Sequence, residues 1–158
     1  VKDSTFFDRS PENPFWVNVD FPKFDARIFL SYKIIGGKAI VKVAQANGSE
    51  KDSITYNNFD KLRNDAFTLT NKNNVVASSI KDSLFTTSNN VTGIFFSVAG
   101  NAATASQFFV TDTTRNFLRG ALYFNATPNA DSLAPVRQYL KEDMLHLINS
   151  VKWNPAFK

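Results

Sequence analysis

Apolar and polar residues alternate with the two-residue period of a half-buried strand over Phe15 to Phe21, where Phe15, Val17, Val19 and Phe21 face away from Trp16, Asn18 and Asp20. Pro22 ends that run, and Trp16 is expected to cap one sheet face. The pattern resumes from Ala26 to Ile34, with Ala26, Ile28, Leu30 and Tyr32 opposed to Arg27, Ser31 and Lys33. A two-residue turn at Gly36-Gly37 is predicted to fold Lys38–Val43 back on it as a third strand. Residues 45–55, rich in Asn, Gly, Ser, Glu, Lys and Asp, read as a loop. Beyond them Phe59, Leu62, Ala66 and Leu69 mark a helix, with Asn57 or Asn58 as N-cap and Asp60 in the first turn.

The β-branched residues between Val75 and Phe85 favour extended chain, and Asn89-Asn90 punctuates it. Val91–Val98, Ser106–Asp112 and Asn116–Asn125 then read as three strands with short, hence antiparallel, connections. The last element is the clearest helix: Leu133, Val136, Leu140, Met144, Leu147, Ile148 and Val151 form one stripe. Asp131 or Ser132 is predicted to cap it, Pro135 to sit in its tolerated first turn and Trp153 to dock its end. This order predicts an α+β fold, one mainly antiparallel sheet packed by two main helices, over a single domain spanning 1–158. By analogy alone it resembles the order of PsbP-like α/β/α sandwiches, which carries no function.

Composition narrows the chemistry. The chain of 158 residues has 16 Phe and an aromatic share of 14%, so aromatic side chains are expected to dominate the core. It has no Cys, which removes disulfides, thiol nucleophiles and Cys-based zinc sites. The net charge of +4 is spread singly along the chain rather than clustered, which argues against nucleic-acid binding. No apolar run approaches the roughly 20 residues a bilayer requires. The chain begins at Val1 with no leader pattern and is expected to be an excised mature segment.

His146 is the only histidine and falls between Leu145 and Leu147, where a partly exposed helix residue explains it better than a catalytic base. Its neighbours Glu142 and Asp143 cannot converge with it on one point of a helix, and neither a metal motif nor a phosphate-cradling glycine turn occurs. Asp20, Asp112 and Asp131 stand near element ends, where turn or capping roles account for them. Phe95, Phe108, Phe117 and Tyr123 could form a stacking platform, but core packing is the simpler expectation. No catalytic residue, metal site or cofactor is therefore assigned. A polar set at Asn101, Gln107, Asp112 and Arg119 remains, and Arg119 in mid-strand beside Phe117 and Ala121 must be paired or solvent-facing.

Specific polar and glycine positions carry a resemblance. They include Val91-Thr92-Gly93, Gly100-Asn101-Ala102-Ala103, Gln107-Phe108, Thr111-Asp112, Phe117-Leu118-Arg119-Gly120, Leu122-Tyr123-Phe124, Pro128-Asn129, Asp131-Ser132 and Trp153. Trp16-Val17-Asn18, Phe21-Pro22, Leu30-Ser31-Tyr32-Lys33 and Asp65-Ala66 extend it toward the front of the chain. In order and spacing these residues resemble the gliding-motility lipoprotein GldD family of Bacteroidota. Two features depart from that pattern: Asn73 and Val76 stand where the family tends to carry His and Lys, and the Lys38–Ile54 tract is longer than usual.

The resemblance implies a periplasm-facing lipoprotein associated with gliding motility and type IX secretion, without a known reaction. It also implies a signal peptide, a lipidated cysteine and a further N-terminal segment upstream of this chain. On that basis the expected role is non-enzymatic, with envelope proteins of a motility or secretion assembly as partners. The expected alternative is a periplasmic small-ligand or glycan-binding module, or a cryptic hydrolase, in which Asn101, Gln107 and Arg119 converge on a pocket. Asp52-Ser53-Ile54, Asp82-Ser83-Leu84, Asp112-Thr113-Thr114 and Asp131-Ser132-Leu133 also resemble the O-glycosylation acceptor pattern of the phylum.

Overall fold

A computed structural model describes residues 6–9, 15–72, 77–102, 104–125 and 130–155. The chain order is β1 (Phe6–Arg9), β2 (Trp16–Phe21), β3 (Ala26–Ile34), β4 (Lys38–Ala44), β5 (Glu50–Tyr56), α1 (Phe59–Asn71), β6 (Ala77–Thr86), β7 (Thr92–Gly100), β8 (Thr104–Thr111), β9 (Asn116–Phe124) and α2 (Ala130–Ser150). Seven strands form one sheet in the order β1-β2-β3-β9-β8-β7-β6, and β4-β5 form a separate pair. Every pairing is antiparallel, and one helix packs on each face, so the α+β expectation holds.

Strand alternation sorts the aromatics between two cores. On one face Val19, Ile28, Phe95, Phe108, Val110 and Leu122 pack with Leu140, Met144 and Ile148 of α2, and Trp153 closes the end of that helix. On the other face Phe96, Phe109 and Phe117 meet Leu62 and Ala66 of α1. Phe109 stacks on Phe117 with ring centroids 5.1 Å apart, and Phe67 meets Phe96 edge-on at 5.1 Å. Tyr123, grouped in the sequence with the core phenylalanines, is 40% exposed.

Several local features differ from the sequence pattern. Gly36-Gly37 does make a turn, with Gly36 in the left-handed region at φ 82°, but β4 does not return along β3. Both edges of β3 are already taken, by β2 and β9. The chain instead leaves the sheet and β4 pairs with residues 50–56, most of the stretch expected to be loop. Asn57 fastens the base of this hairpin: its backbone exchanges hydrogen bonds with Gly36 and Gly37, and its side chain donates to the Ile34 carbonyl.

The α1 cap is Asn58, whose side-chain oxygen accepts from the Lys61 N–H at 2.7 Å. Leu69, expected on the buried stripe, lies 41% exposed because Phe67 and the 1%-exposed Thr70 take the inward positions of that turn. α2 begins at Ala130, which puts Pro135 beyond its first turn, inside the helix. The capping roles expected of Asp131 and Ser132, and the departures at Asn73 and Val76, lie outside the described residues and side chains.

Candidate functional site

Arg119 and Gln107 come together; Asn101 and Asp112 do not join them. Across the α1 face, Trp16, Ser31, Arg119 and Phe109 form one row over four strands, and Phe29, Ala121 and Gln107 form the next. Gln107 is 2% exposed, and its Oε1 accepts a hydrogen bond from the Arg119 guanidinium. Burial lowers the Arg119 pKa from its ordinary value, while its hydrogen bond and electrostatic interaction with Tyr123 work the other way. Among the described residues no carboxylate lies within ion-pairing distance of Arg119.

The guanidinium opens on a cleft of about 240 Å³ between α1 and strands β2, β3 and β9. Its walls include Trp16 and Phe29, packed edge to face at 5.3 Å, and Phe117 and Leu69; Ser31, Lys33 and Asp65 supply polar groups. Sequence reasoning singled out Arg119 but missed this aromatic pair, because Trp16 and Phe29 lie on separate strands whose register only pairing fixes.

Asp112 is committed to the β8–β9 turn. Its Oδ1 accepts from the backbone N–H groups of Thr114, Arg115 and Asn116 at 3.1, 2.8 and 2.8 Å, and its Oδ2 accepts from the Asn116 amide. Burial pushes the carboxyl pKa up, but these four donors together outweigh it and hold the group down at about 2. Thr113 adopts the left-handed conformation that this turn needs, at φ 63°. Asn116 in turn accepts from the Tyr32 hydroxyl, which ties the turn to β3.

Asn101 sits at the opposite end of β8, in the β7–β8 turn. The residue that fixes this turn is Arg137 of α2, which donates to the carbonyls of Gly100 and Ala102 at 2.8 and 2.9 Å. No sequence signal marked Arg137, since an arginine on a helix flank reads as solvated surface. At the other end of α2, Asn89 donates to the Asn149 and Val151 carbonyls at 2.9 and 3.2 Å and so satisfies the helix C-terminus.

Glycines in the recognised segment also serve packing. A Cβ on Gly120 would lie 2.2 Å from the Phe108 ring, and one on Gly93 would lie 2.1 Å from the Phe109 carbonyl oxygen. Much of the polar and glycine signature of residues 91–125 therefore specifies turns and strand contacts.

A second surface projects from the sheet. The β4–β5 hairpin carries the cross-strand pair Ile40 and Ile54 at 73% and 67% exposure, with Tyr56 beside it. Its root and the β2–β3 edge frame a concavity of about 530 Å³ lined by Phe15, Trp16, Tyr32 and Ile40.

His146 is exposed on α2, and among the described residues no three His, Cys, Asp or Glu side chains gather as a metal site would require. Fold and surfaces together define an α+β protein with a helix on each face of an antiparallel sheet and two apolar-walled surfaces at its β2–β3 side. The chain belongs to the family described as Gliding motility lipoprotein GldD, which matches residues 2–153. Membership implies an envelope-associated lipoprotein related to gliding motility. No curated protein and no solved structure gives a match.

Proposed function

We propose that the protein is a non-enzymatic component or accessory of the gliding-motility and type IX secretion machinery, held at the periplasmic side of the envelope by its lipid anchor and acting through protein–protein contact. The observation that supports this reading best is the hairpin. A two-stranded ribbon gains little stability by itself, and exposing an Ile–Ile pair at its centre adds nothing to the fold. Such a feature is explained by a surface that another protein covers.

Replacing Ile40 and Ile54 together by Ser tests the reading in a gliding host that carries this chain. The expected outcome is normal accumulation of the protein with loss of gliding and of type IX cargo secretion. Full gliding and secretion by cells that carry the double variant, or by cells from which the gene is deleted, would contradict it.

A further inference from the structure

We propose that the cleft under α1 binds a small monoanion carried on a flat apolar body, of the aromatic monocarboxylate class, with Arg119 as its anchor. The cleft exists because of side-chain size: Ser31 is a small residue set among Trp16, Phe29 and Phe117, Ala66 of α1 faces it, and α1 turns Leu69 to the rim instead of filling the space. A larger apolar residue at 31 would close the sheet face against the helix and bury more surface.

The cation at its floor is held by hydrogen bonds to Gln107 and Tyr123 and by no carboxylate among the described residues. Gln107 orients the guanidinium without neutralising it, which leaves charge available to a ligand in a part-buried setting where a charge-assisted hydrogen bond is strong. Lys33 adds a second positive charge to the lining and Asp65 a negative one, which leaves a net charge of +1 that a single negative charge balances. The edge-to-face Trp16–Phe29 pair offers apolar surface to a ring. At about 240 Å³ the cleft lies below the usual range for drug-sized ligands, which begins at roughly 300 Å³, and suits one ring with its carboxylate.

The test is a titration of the isotopically labelled chain with 4-methylbenzoate and with its neutral counterpart 4-methylbenzamide, followed by amide NMR. Saturable shifts confined to residues 29–33, 65–69 and 117–121 are expected with the acid, and the amide is expected to bind about tenfold or more weakly. Arg119→Met should weaken the acid by about tenfold or more. Because that variant also strands Gln107, Ser31→Leu provides a second arm: it fills the cleft while leaving Arg119 and Gln107 in place, and should abolish the shifts in a protein that keeps its native spectrum. Equal responses to acid and amide, shifts elsewhere on the chain, or wild-type binding by Ser31→Leu would each overturn the proposal.

Discussion

Gly120→Ala should destabilise the protein although it adds only one methyl group in mid-strand. In an ordinary strand the change from Gly to Ala gains roughly 0.5–1 kcal/mol, because the glycine loses more backbone freedom on folding. Here the new Cβ would stand 2.2 and 2.5 Å from two Phe108 ring carbons, against the roughly 3.5–4.0 Å of a normal carbon contact. Phe108 is the register partner of Gly120 and is 1% exposed within the α2 core, so its ring has little room to retreat. Overpacking of this kind costs about 1–3 kcal/mol, and the closeness of the contact puts the expected loss at about 2–3 kcal/mol.

For a chain of 158 residues that loss lowers the melting temperature by about 6–9 °C, as read by circular dichroism or calorimetry. Phe108→Leu should relieve the clash, so the double variant should lose about 1–2 kcal/mol less than the sum of the singles. A Gly120→Ala protein as stable as wild type, or strict additivity with Phe108→Leu, would refute the reasoning.

The Asp112 turn should make stability depend on pH. A carboxyl held at about 2 in the folded state, below its ordinary 3.8, contributes stability that is present above pH 4 and is lost as pH falls toward 2. The full shift corresponds to about 2.4 kcal/mol, which partial exposure reduces to about 1–2 kcal/mol. Urea unfolding of wild type and Asp112→Asn should therefore differ most above pH 4 and converge near pH 2; a constant difference would contradict this origin. Arg137→Met removes two charge-assisted bonds to the β7–β8 turn and should cost about 2 kcal/mol, with faster amide exchange in residues 98–102 if the turn is its site of action. Asn89→Ala should leave the strands intact and speed exchange only in the last turn of α2, which hydrogen-exchange mass spectrometry would resolve.

Elements with one buried face were legible in the sequence because burial imposes a period. β2, the start of β3 and the Leu140, Met144, Ile148 stripe of α2 follow it, whereas β7, β8 and β9 are buried on both faces and were legible from their aromatic and β-branched runs. β5 was hidden for the same reason: a hairpin strand open on both sides has no alternation to show, and only Ile54, Thr55 and Tyr56 hinted at extended chain. Pairing was less legible than strand position. The Gly36-Gly37 turn was real, but which strand Lys38–Ala44 joins depends on β9, some eighty residues downstream, having occupied the open edge of β3.

The candidate site divides in the same way. Arg119 stood out because charge in mid-strand violates the local pattern, and Gln107 proved to be its partner. Asp112 and Asn101 were equally conspicuous as residues, yet position alone could not distinguish a carboxylate that organises a turn from one that meets a ligand. Phe29 and Ser31, which give the cleft its wall and its space, looked like routine strand positions.

The most direct test of the proposed role is photo-crosslinking in living cells from an unnatural amino acid at position 40, compared with the same probe at position 84 on the outer strand β6. Position 40 is expected to capture a component of the motility or secretion assembly, position 84 to capture none, and the Ile54→Ser background to suppress the product. Equal labelling from both positions, or capture of no assembly component from position 40, would contradict it.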